Sequence, residues 1–245
     1  MTLSQVDEKI KRMKDIIDNE VGLEVEDREV LKRIDGKYIW DEIRSVLNFD
    51  KGIFYTIKEL FIRPGDTVRE FLIYDRKRLV KPILFVIFSS LFFIVNQQIF
   101  GFNTGSAPDD MGSVGVNKAF EWVERNFGIV NIALGFFIGF WIRLFYLKSR
   151  FNIYEIFILV FFVIGFGNLI FTIFGIIEIG TGLDVNRFAY WTVLLYSTWA
   201  IGNFFNKKSF WSYFKGLFAY LLGTIILSSL IIIVGLLIDR INQIN

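Results

Sequence analysis

Five apolar runs occupy most of the chain from residue 82 onward, and short polar segments separate them. The runs cover residues 82–100, 128–147, 152–178, 188–206 and 217–238. Each is long enough to cross the roughly 30 Å hydrocarbon core of a bilayer as an α-helix. Helices are the expected form because backbone N–H and C=O groups find no water in lipid. The pattern predicts an all-α, polytopic domain over 82–238 with about five transmembrane helices, followed by a short tail, 239–245.

Apolar positions are interleaved with charges in the first 81 residues. Residues 1–37 carry one narrow apolar stripe at helical spacing, which predicts a charged cytoplasmic helical segment. Residues 38–81 have wider apolar faces, which predict amphipathic helices at the membrane surface. Pro64 and Gly65 interrupt these helices, and Asp66 is predicted to N-cap a new helix from Thr67.

Residues 116–127 predict one further amphipathic helix, on the outer side of the membrane. Phe120, Trp122, Val123 and Phe127 are expected to seat this helix at the interface, where aromatic rings favour the level of the headgroups.

The composition agrees with a location in lipid and excludes several kinds of catalytic and binding chemistry. Hydrophobic residues make up 53% of the chain, and the mean hydropathy is +0.48. There is no Cys and no His, so disulfides, thiol catalysis and imidazole acid-base chemistry are excluded, and no metal or other cofactor is expected. A net charge of +2 gives no reason to expect nucleic acid. Phosphate-binding loops, dinucleotide fingerprints and nucleophile elbows are also missing, so we predict that the protein is not an enzyme.

Lys and Arg are distributed unevenly between the loops, and cationic loops resist translocation. The predicted inner side carries most of them: Arg76, Lys77, Arg78, Lys81, Lys148, Arg150, Lys207 and Lys208. The N-terminus is therefore predicted to lie in the cytoplasm and the C-terminus outside. The first four of these cations, Arg76 to Lys81, are also expected to contact anionic lipid headgroups.

Short motifs around the first and third runs resemble a known family. Arg63-Pro64-Gly65, Arg69-Glu70-Phe71-Leu72 and Lys81-Pro82 precede or open the first run, and Phe151-Asn152-Ile153-Tyr154-Glu155 opens the third. Their order and spacing are similar to those of a bacterial multi-pass membrane family known only as a domain of unknown function, over about residues 41–238. The resemblance implies a protein of the bacterial inner membrane and transfers no activity.

Two features depart from that family's pattern. The chain lacks the paired cysteines of the zinc-ribbon-like segment with which members commonly begin. It also has Tyr74-Asp75-Arg76 where the family often has Gly-Lys-Arg. A metal-dependent role is therefore not implied for this chain.

Small and polar residues form a stripe in each of two runs. Asn131, Gly135, Gly139 and Arg143 recur every four residues in the second run, and Gly165, Asn168, Thr172 and Gly175 share one face of the third. Both stripes are predicted to face protein, because glycines permit close helix approach and an amide in lipid needs a partner. Asn168 is interpreted either as a packing contact or as part of a path for an ion or substrate.

Three polar residues are predicted at a similar depth near the inner ends of the runs: Arg143, Glu155 and Asn203. Arg143 and Glu155 are expected to pair across the hairpin between the second and third runs. They are interpreted either as a hairpin staple or as a vestibule or headgroup pocket.

Three functions remain open at this point. The glycine stripes favour a non-enzymatic, self-associating scaffold or channel-like homo-oligomer in contact with membrane lipids. The alternative is a small transporter or lipid-binding module that uses Asn168 and the level of Arg143 and Glu155. A membrane effector of a stress or phage-defence system is the third.

Overall fold

A computed structural model of the chain describes residues 52–102, 113–183 and 185–244. The predicted segment 1–37 and the part of 38–81 before residue 52 lie outside these ranges. Every regular element within them is a helix, as predicted. In chain order they are α1 (Ile53–Ile62), α2 (Pro64–Ile73), α3 (Pro82–Phe100), α4 (Val114–Arg125), α5 (Phe127–Phe145), α6 (Ile153–Thr181), α7 (Asn186–Asn206) and α8 (Phe210–Ile244).

Four of the described helices are long and apolar enough to cross a membrane. They are α3, α5, α6 and the stretch Phe210–Asn242 of α8, and they correspond to four of the five predicted runs. The other run falls on α7, which has 21 residues but is not among these candidate spans. Ser, Thr, Asn, Tyr and Trp side chains dilute the apolar content of α7. Hydropathy therefore supports four membrane crossings. It does not decide whether α7 is a fifth.

Helix α6 lies at the centre of the bundle. It buries 72% of its most apolar 18-residue stretch, against 11% for α8. Helices α3, α5 and α7 all pack against α6, while α8 packs on the outside between α5 and α7. Every residue from 161 to 170 is buried, so this part of α6 has no face left for lipid.

Phenylalanine rings pack onto the glycines of both predicted stripes. Phe161 and Phe157 of α6 lie on Gly135 and Gly139 of α5, at 2.6 and 2.5 Å from where a Cβ would stand. Phe85 lies on Gly165 at the same 2.6 Å. These glycines of both stripes therefore lie inside the bundle, but they receive flat rings instead of a neighbouring helix backbone.

The turn after α3 places one more ring on α6. Gly101 ends α3 with φ 70°, a left-handed conformation that L side chains rarely adopt. The chain then turns so that the ring of Phe102 lies on Gly175, 2.5 Å from the position of a Cβ. This fixes the end of α3 against the C-terminal half of α6.

Close approach of two helix backbones occurs at other glycines. A Cβ on Gly223 of α8 would stand 2.8 Å from the backbone nitrogen and Cα of Ile138 on α5. Gly235 of α8 lies equally close to the backbone of Val116 on α4. Helix α8 is therefore fastened to α5 and α4 by glycines that the predicted stripes did not include.

Helix α4 is fastened through its N-terminus. Ser113 caps it by accepting a hydrogen bond from the N–H of Val116 at 3.2 Å. Asp239 of α8 accepts from the N–H of Gly115 at 2.6 Å and from the Ser113 hydroxyl. A carboxylate beside the positive end of a helix is stabilising, so the last turns of α8 hold α4 in place.

The interruption before α2 differs from the prediction. Helix α2 begins at Pro64, so Asp66 lies in its first turn and pairs with Lys207 instead of capping a helix from Thr67. Proline suits the first helical position because the N–H it lacks would have no partner there. Gly65 is needed for contact, since a Cβ would stand 2.7 Å from the carbonyl carbon of Asn203 on α7.

Gly223→Ala tests the contact between α5 and α8. The added methyl group must push the helices apart, and we expect a loss of about 1–3 kcal/mol. The measurement is the midpoint of thermal unfolding in detergent, followed by fluorescence-detected size-exclusion chromatography. Gly180→Ala is the matched control, because a Cβ there meets nothing within 4 Å. Equal midpoints for the two variants would contradict the packing described.

Candidate functional site

A cluster of four polar side chains lies inside the bundle between α3, α5 and α6. Asn131 of α5 is 6% exposed and Asn168 of α6 is 4% exposed. The Asn131 amide donates to the Asn168 side-chain oxygen at 3.3 Å and to the Ser90 hydroxyl at 3.1 Å. The Asn168 amide donates to the hydroxyls of Ser89 and Ser90 at 3.3 and 3.2 Å. The predicted partner of Asn168 is thus found on two neighbouring helices.

The hydrogen-bonding capacity of this cluster is not fully used. Both described hydrogen bonds of the Asn131 side chain leave from its amide nitrogen. Its amide oxygen accepts no hydrogen bond from the residues that the structure describes. This oxygen is not among the described buried side-chain atoms that lack a partner, so it keeps some accessible surface and can accept a hydrogen bond from a donor group.

A cavity of about 460 Å³ opens next to Asn131 and Asn168. Helices α5, α6, α7 and α8 form its walls, and the two asparagines form part of its lining. Most of the remaining lining is apolar. It includes Leu134, Ile164, Phe171, Val193, Leu194, Leu221, Leu227 and Ile231. The arrangement is that of a binding site for a small molecule, in which a few polar groups stand among many apolar ones.

Helix α4 contributes to the same cavity. Phe120 and Val123 of α4, and Phe127 at the start of α5, belong to the lining, whereas Trp122 is 56% exposed. The sequence predicts all four of these side chains at the interface. The amphipathic pattern identified the helix, but it could not distinguish a face toward lipid from a face toward a cavity.

A closed ring of ion pairs joins α1, α2 and the segment that follows. Arg63 pairs with Glu59 at 2.8 Å and with Glu70 at 2.9 Å. Arg78 pairs with the same two carboxylates, at 3.1 Å with Glu59 and 2.5 Å with Glu70. We call these four residues the ion-pair ring. Each charge has two opposite neighbours, so the ring fixes the angle between the two helices.

The ring keeps its arginines charged. The hydrogen bonds that Arg63 donates to Glu59 are the main cause that raises the pKa of Arg63, and the hydrogen bond that Arg78 donates to the Tyr55 hydroxyl is the main cause that raises the pKa of Arg78. Both shifts favour the charged guanidinium, so both arginines stay cationic at physiological pH.

Arg78 is therefore not available for the lipid contact predicted for it. The structure places its guanidinium inside the ion-pair ring, whereas Arg76, Lys77 and Lys81 are exposed. The spacing of four residues between Glu59 and Arg63 could have indicated one side of the ring. The partnership of Arg78 with Glu59 spans 19 residues, and no local pattern predicts it.

Arg69 and Lys207 hold α7 against α2. The Arg69 guanidinium donates to the backbone carbonyls of Asn203, at 3.0 Å, and Phe204. These carbonyls belong to the last turn of α7, where an intrahelical partner is missing, so a cation is favourable there. Sequence reasoning did not find this contact, because its two sides are more than 130 residues apart.

The predicted set Arg143, Glu155 and Asn203 does not form one site. Glu155 completes a capping box with Asn152 at the start of α6, accepting from the Asn152 N–H at 2.8 Å. Arg143 instead donates to the carbonyl of Leu147 at 3.4 Å, and no ion pair joins it to Glu155 in the described ranges. Asn203 packs against Gly65, and its buried side-chain oxygen has no described partner. Glu155 therefore caps its own helix, and the hydrogen bonds of this cap involve no other helix.

Comparison with known proteins adds one observation. Residues 50–94 match the family described as "Protein of unknown function (DUF3667)". That segment resembles a family without an established role. It carries the ion-pair ring and both serines of the polar cluster, Ser89 and Ser90. No curated protein and no solved structure matches the chain.

Arg78→Met tests the ion-pair ring. Removing this guanidinium leaves Glu59 and Glu70 with half of their cationic partners, and we expect a loss of roughly 1–3 kcal/mol in stability. Arg76→Met is the matched control and should stay within about 0.5 kcal/mol of the original chain. The measurement is thermal or chemical denaturation in detergent.

The same measurement with Glu59→Gln, alone and combined with Arg78→Met, closes a double-mutant cycle. A combined loss smaller than the sum of the two single losses indicates coupling within the ring. Strict additivity would show that the two side chains act independently, against the geometry.

Proposed function

We propose that this protein is a non-enzymatic, membrane-embedded module that binds one lipid-like molecule in the cavity between α5, α6, α7 and α8. The single observation that carries the proposal is the cavity itself, a mainly apolar space of about 460 Å³ among apolar helices. Its size falls within the range of about 300–1,000 Å³ typical of ligand pockets. Empty space of this size forfeits packing contacts, so an apolar occupant would stabilise the bundle.

The polar part of the lining defines the other end of the ligand. The free side-chain oxygen of Asn131 is an acceptor, and both neighbouring amide donors already have partners. A matching molecule carries a hydroxyl or N–H group at one end and an apolar chain or ring at the other. Candidate ligands differ in how well they can donate a hydrogen bond to this oxygen. They include a fatty alcohol, a monoacylglycerol and a phospholipid bound through its acyl chains.

The scaffold or channel predicted from the stripes has less support. Phe157, Phe161, Phe85 and Phe102 of the same chain already cover the glycines that were expected to receive another subunit. The polar face of α6 forms hydrogen bonds with α3 and α5 of the same chain, and this leaves less of it to line a pore between subunits. Self-association stays a prediction that would have to use other surfaces.

The proposal includes a topology of five crossings, with α7 as the fifth. Helix α7 runs antiparallel to α6: Tyr190 near its start packs on Phe171, and Phe204 near its end packs on Phe151. Its 21 residues make a helix of about 31 Å, enough for the hydrocarbon core. The protein then lies in the inner membrane of a bacterium. The end with the ion-pair ring faces the cytoplasm, and α4 lies on the outer side. The cation-rich turns support this orientation.

Photo-crosslinking tests the proposed function. The protein is reconstituted in nanodiscs with phosphatidylethanolamine that carries a diazirine on one acyl chain, and with a diazirine-bearing long-chain alcohol in a parallel sample. Mass spectrometry maps the adducts. We expect adducts on Ile164 and Val193, which line the cavity and are 5% and 4% exposed. Bulk lipid around the bundle does not reach such positions.

Leu227→Trp fills the cavity from α8 and should reduce the adducts on Ile164 and Val193 by about ten-fold. Leu230→Trp is the matched control, since Leu230 is 43% exposed on the same helix and does not line the cavity. Adducts confined to outward-facing residues, with no response to Leu227→Trp, would contradict lipid binding in this cavity.

A further inference from the structure

A second cavity, unconnected with the proposed ligand site, lies where the α5–α6 turn meets the α7–α8 turn. Its volume is about 530 Å³. Residues 144–149 form one side of it, and Phe205, Asn206, Ser209 and the first residues of α8 form the other. We call it the lysine cavity, because Lys148 and Lys215 both belong to its lining.

The charge of the lysine cavity has one sign. None of the described residues that line it is acidic. Neither Lys148 nor Lys215 takes part in an ion pair with any residue in the described ranges, whereas nearby Lys207 pairs with Asp66. Two ammonium groups without a carboxylate beside them create a local field that attracts an anion.

An ordered aromatic base holds Lys215 at the cavity. Its ammonium group lies 5.6 Å from the centre of the Tyr146 ring, a cation–π distance. The Tyr146 ring stacks on Phe205 with centres 3.8 Å apart, and its hydroxyl donates to the Ser212 carbonyl. Burial raises the pKa of Tyr146 to about 12, so this hydroxyl stays a donor at physiological pH. The Tyr146 ring therefore gives the exposed Lys215 ammonium group a partner beside the cavity.

The start of α8 adds hydrogen-bond donors to the same space. Trp211 and Ser212 lie in the first turn of α8 and line the cavity. The N–H of Ser212 already donates to the Ser209 carbonyl at 3.0 Å, whereas no described hydrogen bond leaves from the N–H of Trp211. The first N–H groups of a helix also carry a partial positive charge. Together with the two lysines and the Ser209 hydroxyl, they match the oxygens of a phosphate group.

The surroundings indicate where this phosphate comes from. Phe210 and Trp211 beside the cavity are 77% and 67% exposed, and Leu147 on the opposite side is 62% exposed. Exposed aromatic and aliphatic side chains beside lysines are typical of the boundary between headgroups and acyl chains. A soluble phosphate gains nothing from this apolar rim, whereas the acyl chains of a phospholipid can pack against it.

We propose that the lysine cavity is a binding site for the headgroup of an anionic phospholipid, with Lys148, Lys215 and the first turn of α8 holding its phosphate. The site lies among the turns at the ends of the helices. It is separate from the cavity around Asn131, and either site can exist without the other.

Native mass spectrometry tests this proposal on the full chain. The protein in detergent is titrated with equimolar phosphatidylglycerol and phosphatidylcholine of the same acyl chains. We expect the original chain to prefer phosphatidylglycerol about ten-fold or more, because the two lysines favour a headgroup with a net negative charge, whereas the choline cation of phosphatidylcholine offsets its phosphate and is repelled by them. The variant with Lys148→Met and Lys215→Met should bind both lipids about equally.

Two controls make the result decisive. Lys208→Met removes an exposed lysine from the adjacent turn that does not line the cavity, and it should keep the preference. Should the double variant lose its size-exclusion peak, Lys148→Met alone tests the site, since Lys148 is exposed in a turn. A preference unchanged by these lysine substitutions, or abolished equally by Lys208→Met, would overturn the proposal.

A separate arm distinguishes the two sources of phosphate. Inorganic phosphate at 10 mM in the buffer, about the range of free phosphate that a soluble site would face, should leave the phosphatidylglycerol adducts in place. Displacement of the lipid by free phosphate would overturn the assignment to a lipid headgroup.

Discussion

The rest of this structure depends on the burial of the middle of α6, where every residue from 161 to 170 is enclosed by the other helices. A helix with no water around it must satisfy its polar side chains within the protein. Asn168 and Thr172 are the polar side chains on the buried part of α6. The chain supplies their hydrogen-bond partners in two different ways. Thr172 bonds back to the carbonyl of Asn168 at 2.8 Å, whereas Asn168 requires serines of α3 and an asparagine of α5. The positions of α3 and α5 follow from that requirement.

Phenylalanine packing sets the remaining distances around α6. Rings lie where glycines remove the Cβ, so α3 and α5 contact α6 through flat surfaces on both sides. Helix α8 is held by α5, α7 and α4, and it does not close against α6. The cavity beside Asn131 is the space left by this arrangement. The ion-pair ring and Arg69 then fasten α1 and α2 to the opposite end, within the segment that resembles a family of unknown function.

The sequence predicted most of the helices, because hydropathy and helical spacing are local properties. The first run was predicted as 82–100, and α3 covers Pro82–Phe100. The glycine stripes of α5 and α6 were expected to face protein, since glycine permits close helix approach and an amide in lipid needs a partner, and rings of the same chain cover four of their glycines. Local signals did not reveal what meets those glycines. A glycine stripe looks the same in a single sequence whether a phenylalanine ring or a helix backbone packs against it.

Long-range contacts account for the errors. Arg78 was grouped with its basic neighbours, but its partners Glu59 and Glu70 come from two other helices. Asp66 has the chemistry of an N-cap, yet Pro64 starts the helix earlier and leaves the carboxylate to Lys207. Neither cavity could be predicted, because each is a property of how four or more segments meet. Helix α7 was found by its length, while its mixed composition hides whether it crosses the membrane.

The central claim is that the space beside Asn131 is a ligand site and not a packing gap that closes in the membrane. An electron cryo-microscopy map of the protein in nanodiscs of bacterial lipid tests it most directly. The account predicts elongated density between α5, α6, α7 and α8 that ends within hydrogen-bonding distance of the Asn131 side chain. A map in which α8 has moved inward, so that Leu227 and Tyr220 fill the space against Ile164, would contradict it.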